Sequence, residues 1–405
     1  MCCILKPLTR LFELSYAYYM KSILLGILFV AFFVFGILPS LGQAQFPERK
    51  IVVFQENFKN EPAQDELISR TGGVKVKSLP LINAEVFLAN PASIKALSLS
   101  EKVKRIDDDV QVFALGKPTY TQPPQLLPWG VDRVDAELAF GTNPGTAVKI
   151  GIVDTGIDLT HPDVASNIKG GVNTINPLKS ANDDNGHGTH VAGIAGALNN
   201  TIGVVGVGPE IHLYAIKVLD RQGSGFLSDV IEGLGWAVAN NMQVINMSLG
   251  TSSNIQSFHD AVVAVRNAGI VQAAAAGNSG GAVSFPAAYS EVIAVSATDQ
   301  TNTIASFSSR GPEVDLASPG VSIPSTYKGG KYATLSGTSM ATPHVAGAAA
   351  LVLKTLVGIY DANGNGVWDP AEVQTKLEAG ATDLGAAGKD NLYGAGLLNA
   401  FGASQ

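Results

Sequence analysis

Cysteine is almost missing from this chain: Cys2 and Cys3 are the only two in 405 residues. Everything downstream therefore has no disulfide framework and no thiol chemistry. Charge is sparse too. Only 15% of residues are Asp, Glu, Lys or Arg, and the acids outnumber the bases for a net charge of −7. No Lys/Arg block resembles a nucleic-acid footprint, which argues against nucleic acid as a partner. One long apolar run exists, Ile23 to Leu38. What is plentiful is small or apolar: 44 glycines and 46% hydrophobic residues. That composition suits one large core plus a smaller domain, with many tight loops at strand ends.

Lys21 precedes the apolar run, and Pro39-Ser40-Leu41-Gly42-Gln43-Ala44-Gln45 follows it. A basic start, an apolar stretch of this length and small residues beyond it predict a secretory signal over residues 1–44, with Met20 as an alternative start and a cut after Ala44. The alternative is an uncleaved anchor, for which the run is slightly short. Processing predicts an extracellular protein without stable membrane association, expected to be a monomer.

Residues 45–116 differ in composition. Ile51-Val52-Val53-Phe54 reads as a strand, Glu61 to Arg70 as a helix stopped by Gly72-Gly73, Val74 to Leu79 and Ala84 to Leu88 as strands, Pro91 to Leu99 as a helix, and Val103 to Phe113 as further strand. The order β-α-β-β-α-β predicts a small ferredoxin-like α+β module. A Pro/Gln-rich linker follows at Lys117 to Pro128, held extended by its prolines, with residues 117–124 as the processing linker. From Gln125 on, apolar strands (148–153, 211–218, 244–247, 271–276, 292–297) alternate with helical stretches such as 227–240 and 256–268. This predicts a doubly wound, mostly parallel α/β sheet.

Three settings carry chemistry. Strand 148–153 ends at Asp154-Thr155-Gly156-Ile157-Asp158, where ligands gather in an open α/β sheet. Glycines flank His187 in Asn185-Gly186-His187-Gly188-Thr189-His190. Ser339 lies in Gly337-Thr338-Ser339-Met340-Ala341-Thr342-Pro343-His344, between a glycine turn and an apolar helix. A serine hydroxyl is a weak nucleophile. It needs an imidazole to take its proton and a carboxylate to orient that imidazole. Each residue alone would be an ordinary cap or turn; together they form a candidate triad. His190 and His344 read as structural, and His161, His212 and His259 as surface or packing residues.

The constellation resembles the subtilisin-like serine proteases, with Asp-Thr-Gly-Ile-Asp, His-Gly-Thr-His-Val-Ala-Gly and Gly-Thr-Ser-Met-Ala-Thr-Pro-His in the family's order from about Gln125 to the C-terminus. The resemblance implies a serine endopeptidase in which Asp154 orients, His187 is general base then acid, and Ser339 attacks the scissile carbonyl. It implies Asn278 and the Ser339 backbone N–H as oxyanion donors. It implies Gly223-Ser224-Gly225 and Ser248-Leu249-Gly250 as edges that pair with the backbone of protein or peptide substrates, and Ser284 at the base of the primary pocket, where relatives often carry glycine. It also implies that residues 45–116 are a propeptide, an intramolecular chaperone and inhibitor, removed by self-cleavage between Leu115 and Gln125. Three other readings stay open. One is a membrane-anchored processing protease of the same chemistry. A second is an aspartic protease, which would need a second Asp-Thr-Gly that the chain does not have. The third is an inactive binding scaffold.

Asp361-Ala362-Asn363-Gly364-Asn365-Gly366-Val367-Trp368-Asp369-Pro370-Ala371-Glu372 has the EF-hand spacing. Asp361, Asn363, Asn365, the Val367 carbonyl, Asp369 and a bidentate Glu372 would ligate a structural Ca2+, between helices expected at 344–359 and 371–379. A second calcium site is implied by the family resemblance alone. Side-chain oxygens of Gln125, Asp163 and Asn200 and the carbonyls of Leu198, Ile202 and Val204 would hold that ion.

Overall fold

The computed structural model describes residues 47–114, 117–121 and 124–405. The expected signal segment, both cysteines, and positions 115–116 and 122–123 of the expected processing region lie outside the described residues. Among the described residues no helix is long and apolar enough to cross a membrane.

The N-terminal module runs β1 (Glu48–Phe54), α1 (Glu61–Arg70), β2 (Val74–Leu79), β3 (Ala84–Ala89), α2 (Pro91–Ser98) and β4 (Val103–Asp108). Its sheet is antiparallel in the order β2-β3-β1-β4. Both helices start from an asparagine and a proline. Asn60 and Asn90 accept N–H bonds from Ala63 and Ser93, and Pro fits the first turn, where its missing donor costs nothing. Ile51 to Phe54 are all buried because the sheet is covered on both faces. Val52 and Phe54 pack with Ile68, Phe87 and Leu97 inside the module. Ile51 and Val53 belong to the core of the larger domain. A strand covered on both sides loses the apolar–polar alternation.

Two strands follow, β5 (Gln111–Ala114) and β6 (Lys117–Thr121). Then comes a seven-stranded parallel sheet in the order β15-β14-β13-β11-β7-β9-β8. Its strands are β7 (Lys149–Asp154), β8 (Ile168–Asn173), β9 (His212–Lys217), β11 (Val244–Met247), β13 (Val271–Ala275), β14 (Ile293–Thr298) and β15 (Leu316–Pro319), with the short strands β10 (Ser224–Phe226) and β12 (Leu249–Gly250) interspersed. A hairpin, β16 (Ile323–Tyr327) and β17 (Lys331–Ser336), precedes the central helix. On one face lie α3 (His187–Gly196) and α6 (Thr338–Val352); on the other lie α4 (Leu227–Ala239) and α5 (Gln256–Asn267). The C-terminus adds α7 (Pro370–Gly380) and α8 (Ala400–Ala403). This is the doubly wound architecture that the alternating strands and helices predict.

Strands β8 and β15 are missing from the sequence reading. Gly170-Gly171 interrupts the apolar pattern of one, and the other is only Leu-Ala-Ser-Pro. The helix expected at 344–359 is a correction: α6 begins at Thr338 and stops at Val352. Asn143 Nδ2 donates to the Leu351 carbonyl (2.8 Å) and Trp368 Nε1 to the Thr355 carbonyl (3.0 Å), so other segments satisfy the end of the helix. Leu356 and Ile359 are almost fully exposed and offer no core face to continue it.

Candidate active site

The carboxyl ends of the parallel strands supply the site. Asp154 is the last residue of β7, and Asn278 is the third residue after β13. His187 opens α3 and Ser339 is the second residue of α6. His187 Nδ1 donates to both Asp154 carboxylate oxygens, at 2.8 and 2.9 Å, with both side chains buried. That bond fixes the tautomer: the proton sits on Nδ1, and Nε2 is the basic nitrogen. Gly188 permits the close approach, since a Cβ there would lie 2.1 Å from the Gly156 carbonyl and 3.1 Å from Asp154.

Ser339 is fully buried, and its hydroxyl donates to the Ser248 carbonyl at 3.2 Å. Ser248 Oγ in turn donates to the Ser339 carbonyl (2.8 Å). Asn278 Oδ1 accepts from both the backbone N–H and the hydroxyl of Thr338, each at 2.9 Å. With its carbonyl end fixed, the amide can offer only N–H donors to anything bound beside Ser339. Gly277, at φ +116°, donates its N–H to the same Thr338 hydroxyl (3.2 Å). A Cβ at Gly277 would meet Ser284 Oγ at 2.5 Å, so Ser284 packs directly behind this turn.

Supporting residues went unremarked in the sequence. Asp183 is buried, and desolvation raises its carboxyl pKa. It still accepts the N–H groups of Asn185, Gly186 and Thr189 and the hydroxyls of Thr155 and Thr189. It thereby shapes the loop that presents His187. Lys217 Nζ donates to the carbonyls of Thr155 and Leu219 and to Asp184, tying the ends of β7 and β9 together. Their only sequence signal was proximity to the motifs. His190 donates to backbone carbonyls of Ile323 or Ala333, His344 to Met340, and His161 to Lys331; all three are buried. Burial pulls His190 down to about 3 and His344 to about 4, so both are neutral near pH 7. His259 stacks on Tyr289 and pairs with Glu291, and His212 is half-buried at the start of β9.

Two short strand edges hold a segment of the protein's own chain between them. Strand β5 pairs antiparallel with β10 (Ser224↔Phe113, Gly225↔Val112, Phe226↔Gln111) and with β12 (Leu249↔Ala114, Gly250↔Phe113). Gly223, one residue before β10, turns the chain at φ +77°. The segments expected as substrate edges thus flank an extended peptide. The module is fastened beside these edges by charge. Asp109 accepts from the N–H and hydroxyl of Ser228, both at 2.7 Å, at the start of α4, and Arg49 pairs with it. Asp107 accepts from the N–H of Ser257 (3.1 Å) at the start of α5, and Arg105 bridges Asp107 to Asp260. Two carboxylates therefore cap two helices at their positive ends. Lys77 meets Asp229 and Glu232 on α4.

The donors proposed for calcium divide into two loops. Around Asp163, Asn200 Nδ2 donates to one carboxylate oxygen (2.7 Å) and the Val204 N–H to the other (2.9 Å). Leu126 and Val204 form a bridge that brings Gln125 to this loop, and the Leu198 N–H donates to the Asp163 carbonyl. The Ile202 N–H donates to Asn200 Oδ1 (2.7 Å). Gln125 Oε1 is buried without a hydrogen-bond partner among the described residues, and desolvation raises the pKa of Asp163. A buried, unsatisfied oxygen and a desolvated carboxylate, both drawn to the 198–204 loop, fit a hard cation. In the C-terminal loop, Asp361 accepts the N–H groups of Asn365 and Gly366, Asn363 accepts that of Asn365, and Asn365 that of Val367. Glu372 accepts the N–H groups of Ala362 and Asp369, and Asp369 receives the amides of Asn363 and Asn365. All five of these side chains come from one loop and carry oxygens, the donor type that calcium prefers.

Comparison with known proteins agrees with this geometry. The family model described as the Subtilase family matches residues 145–396. An alkaline protease of Alkalihalobacillus alcalophilus is 44% identical over 331 residues, covering 81% of this chain and 80% of its own. Subtilisin Savinase of Lederbergia lenta is 48% identical over 283 residues, 69% of this chain and 100% of its own. Subtilisin amylosacchariticus of Bacillus subtilis subsp. amylosacchariticus is 39% identical over 376 residues, 90% and 92% of the two chains.

Proposed function

Because this chain belongs to the subtilase family and is a serine endopeptidase of the subtilisin type, we propose that it is an exported, calcium-stabilised protease made as a self-processing precursor. In this reading His187 Nε2 takes the Ser339 proton as Oγ attacks the scissile carbonyl. Asp154 stabilises the imidazolium, and the acyl-enzyme is then hydrolysed by water. Asn278 and the Ser339 N–H receive the oxyanion at the positive end of α6. Gly223 to Gly225 and Ser248 to Gly250 bind substrate backbone, which favours broad sequence tolerance. Ser284 shortens the primary pocket relative to glycine.

The observation that carries the precursor reading is the occupation of both substrate edges by Gln111–Ala114. A segment bound like substrate is both an inhibitor and the first bond to be cut. Residues 45–116 are then the propeptide, and the expected self-cleavage falls between Leu115 and Gln125. Calcium would be held by Gln125, Asp163, Leu198, Asn200, Ile202 and Val204, and by the 361–372 loop. It would supply stability that disulfides do not. The decisive test is covalent. A phosphonylating serine-protease probe should add its mass at Ser339 of the matured protein, and Ser339→Ala should accumulate as full precursor. Self-trimming by that variant would refute the triad assignment.

A further inference from the structure

Asparagine followed by glycine occurs at Asn185-Gly186, Asn363-Gly364 and Asn365-Gly366. Such a pair can modify itself. The glycine nitrogen, once deprotonated, attacks the side-chain carbonyl carbon of the asparagine, and no Cβ blocks the approach. The three carbonyls are held alike. Each side-chain oxygen accepts the N–H two residues on: Asn185 from His187 (3.1 Å), Asn363 from Asn365 (3.0 Å) and Asn365 from Val367 (2.8 Å). The nitrogens differ. The Gly186 N–H lies in a buried residue and donates to Asp183 Oδ1 (2.8 Å), and the Gly366 N–H donates to Asp361 Oδ2 (3.0 Å). A carboxylate on an N–H opposes loss of its proton, because the resulting anion would face a like charge. Among the described residues the Gly364 N–H meets no protein acceptor. Asn363 and Gly364 are both exposed, Gly364 turns the chain at φ +71°, and nothing lies within 4 Å of where its Cβ would stand.

We propose that Asn363 is a deamidation site built into the C-terminal loop, selected over the other two asparagines by the unbonded nitrogen of Gly364. The bond that forms joins Gly364 N to Asn363 Cγ. The bond that breaks releases Nδ2, which leaves as ammonia with the proton that Gly364 loses. One water then opens the five-membered imide at either carbonyl. One opening gives aspartate; the other gives isoaspartate, in which the main chain runs through the former side chain. Both products change the loop. Aspartate at 363 adds a carboxylate to those of Asp361, Asp369 and Glu372, and it replaces the amide that donates to Asp369 with a like charge. Isoaspartate lengthens the main chain by one carbon inside the twelve-residue spacing. The modification is independent of the calcium reading, but its effect on the ion rests on it. More ligand charge strengthens binding of a hard cation, and a broken spacing weakens it.

The test ages full-length Ser339→Ala protein, chosen to prevent self-digestion, in warm, mildly alkaline buffer with a chelator. Peptide mapping by mass spectrometry reads the amide-to-acid change at each site, and chromatography separates aspartate from isoaspartate. Asn363 should convert at least about tenfold faster than Asn185 and Asn365, the factor expected when a hydrogen bond to a charged group must first be broken. In denaturant the three rates should converge. Asp361→Ala frees the Gly366 N–H and should bring Asn365 to within about threefold of Asn363. Equal rates in the folded chain, a faster Asn185 or Asn365, selectivity that survives in denaturant, or an Asn365 unmoved by Asp361→Ala would overturn the proposal. Calorimetric calcium titrations in an Asp163→Asn background should find Asn363→Asp at least about threefold tighter than its parent, and isoaspartate-enriched protein at least about threefold weaker. Equal affinities would overturn the effect on the ion. Absence of calcium binding by all three would overturn the calcium reading and leave the modification, read by mass, standing.

Discussion

Thr338→Val isolates one hydroxyl that organises the oxyanion side of the site. Valine keeps the shape and removes two bonds: the donation to Asn278 Oδ1 (2.9 Å) and the acceptance of the Gly277 N–H (3.2 Å). The Thr338 N–H still holds Asn278 Oδ1 at 2.9 Å, so the amide loses one of its two anchors. A net hydrogen bond contributes about 1 kcal/mol, so kcat should fall about fivefold with KM unchanged. The Gly277 N–H is left buried without that acceptor, which costs about 1–3 kcal/mol of stability and should appear as a lowered Tm. Asn278→Ala removes the donor itself and should cost roughly 10²–10³ in kcat, a magnitude measured for the corresponding asparagine of a subtilisin and carried over to this relative. Steady-state kinetics on the two single variants and the double variant decide the matter. If Thr338 acts through Asn278, adding Thr338→Val to Asn278→Ala should change kcat little. Full additivity, or a Thr338→Val loss as large as that of Asn278→Ala, would refute the reasoning.

Chelation of the matured protein should lower Tm, and saturating calcium should restore it, an effect of about 2.7 kcal/mol at 100 times Kd for one site. Asp163→Asn should shrink that increment, and calorimetry of Glu372→Gln should show weaker binding at the C-terminal loop with turnover unchanged at saturating calcium. Burial in the module pushes Glu85 up to about 7 from an ordinary 4.5. The unfolded chain ionises first, so stability falls as pH rises from about 4.5 through about 7. In a Ser339→Ala background, Glu85→Gln should match its parent near pH 4 and exceed it above pH 7 in denaturant titrations. The buried neutral histidines act in the opposite sense. With His190 at about 3 and His344 at about 4 against an ordinary 6.5, stability is complete above pH 6.5 and declines as pH falls toward 4. In a Glu85→Gln, Ser339→Ala background, which removes the opposing carboxyl, a Tm that stayed flat from pH 7 to 4 would contradict that assignment.

The five apolar runs that became central strands were legible because a parallel strand between two helical layers has no polar face. Each lies within one or two residues of its expected ends, as β11 does at Val244–Met247. Where burial was incomplete the pattern failed, at Gly170-Gly171 in β8 and after Val352 in α6. Thr338, Asp183 and Lys217 could not be singled out in sequence. Their importance lies in which distant backbone groups they reach, and residue type alone does not encode that. Linker residues 117–121 read only as extended; their partner, β17, was not legible, because strand pairing uses main-chain groups common to every residue.

By itself the amino-acid order determined the chemistry on offer: an acid, an imidazole and a hydroxyl, each next to glycines that leave room for a peptide. It also determined a core of parallel strands and an economy without disulfides. Tertiary structure alone decided the rest. It set the 2.8 Å bond that gives His187 its tautomer, the orientation of the Asn278 amide, and the register that lays the chain's own residues between two strand edges. Those features depend on distances between groups far apart in the chain, and only folding fixes such distances.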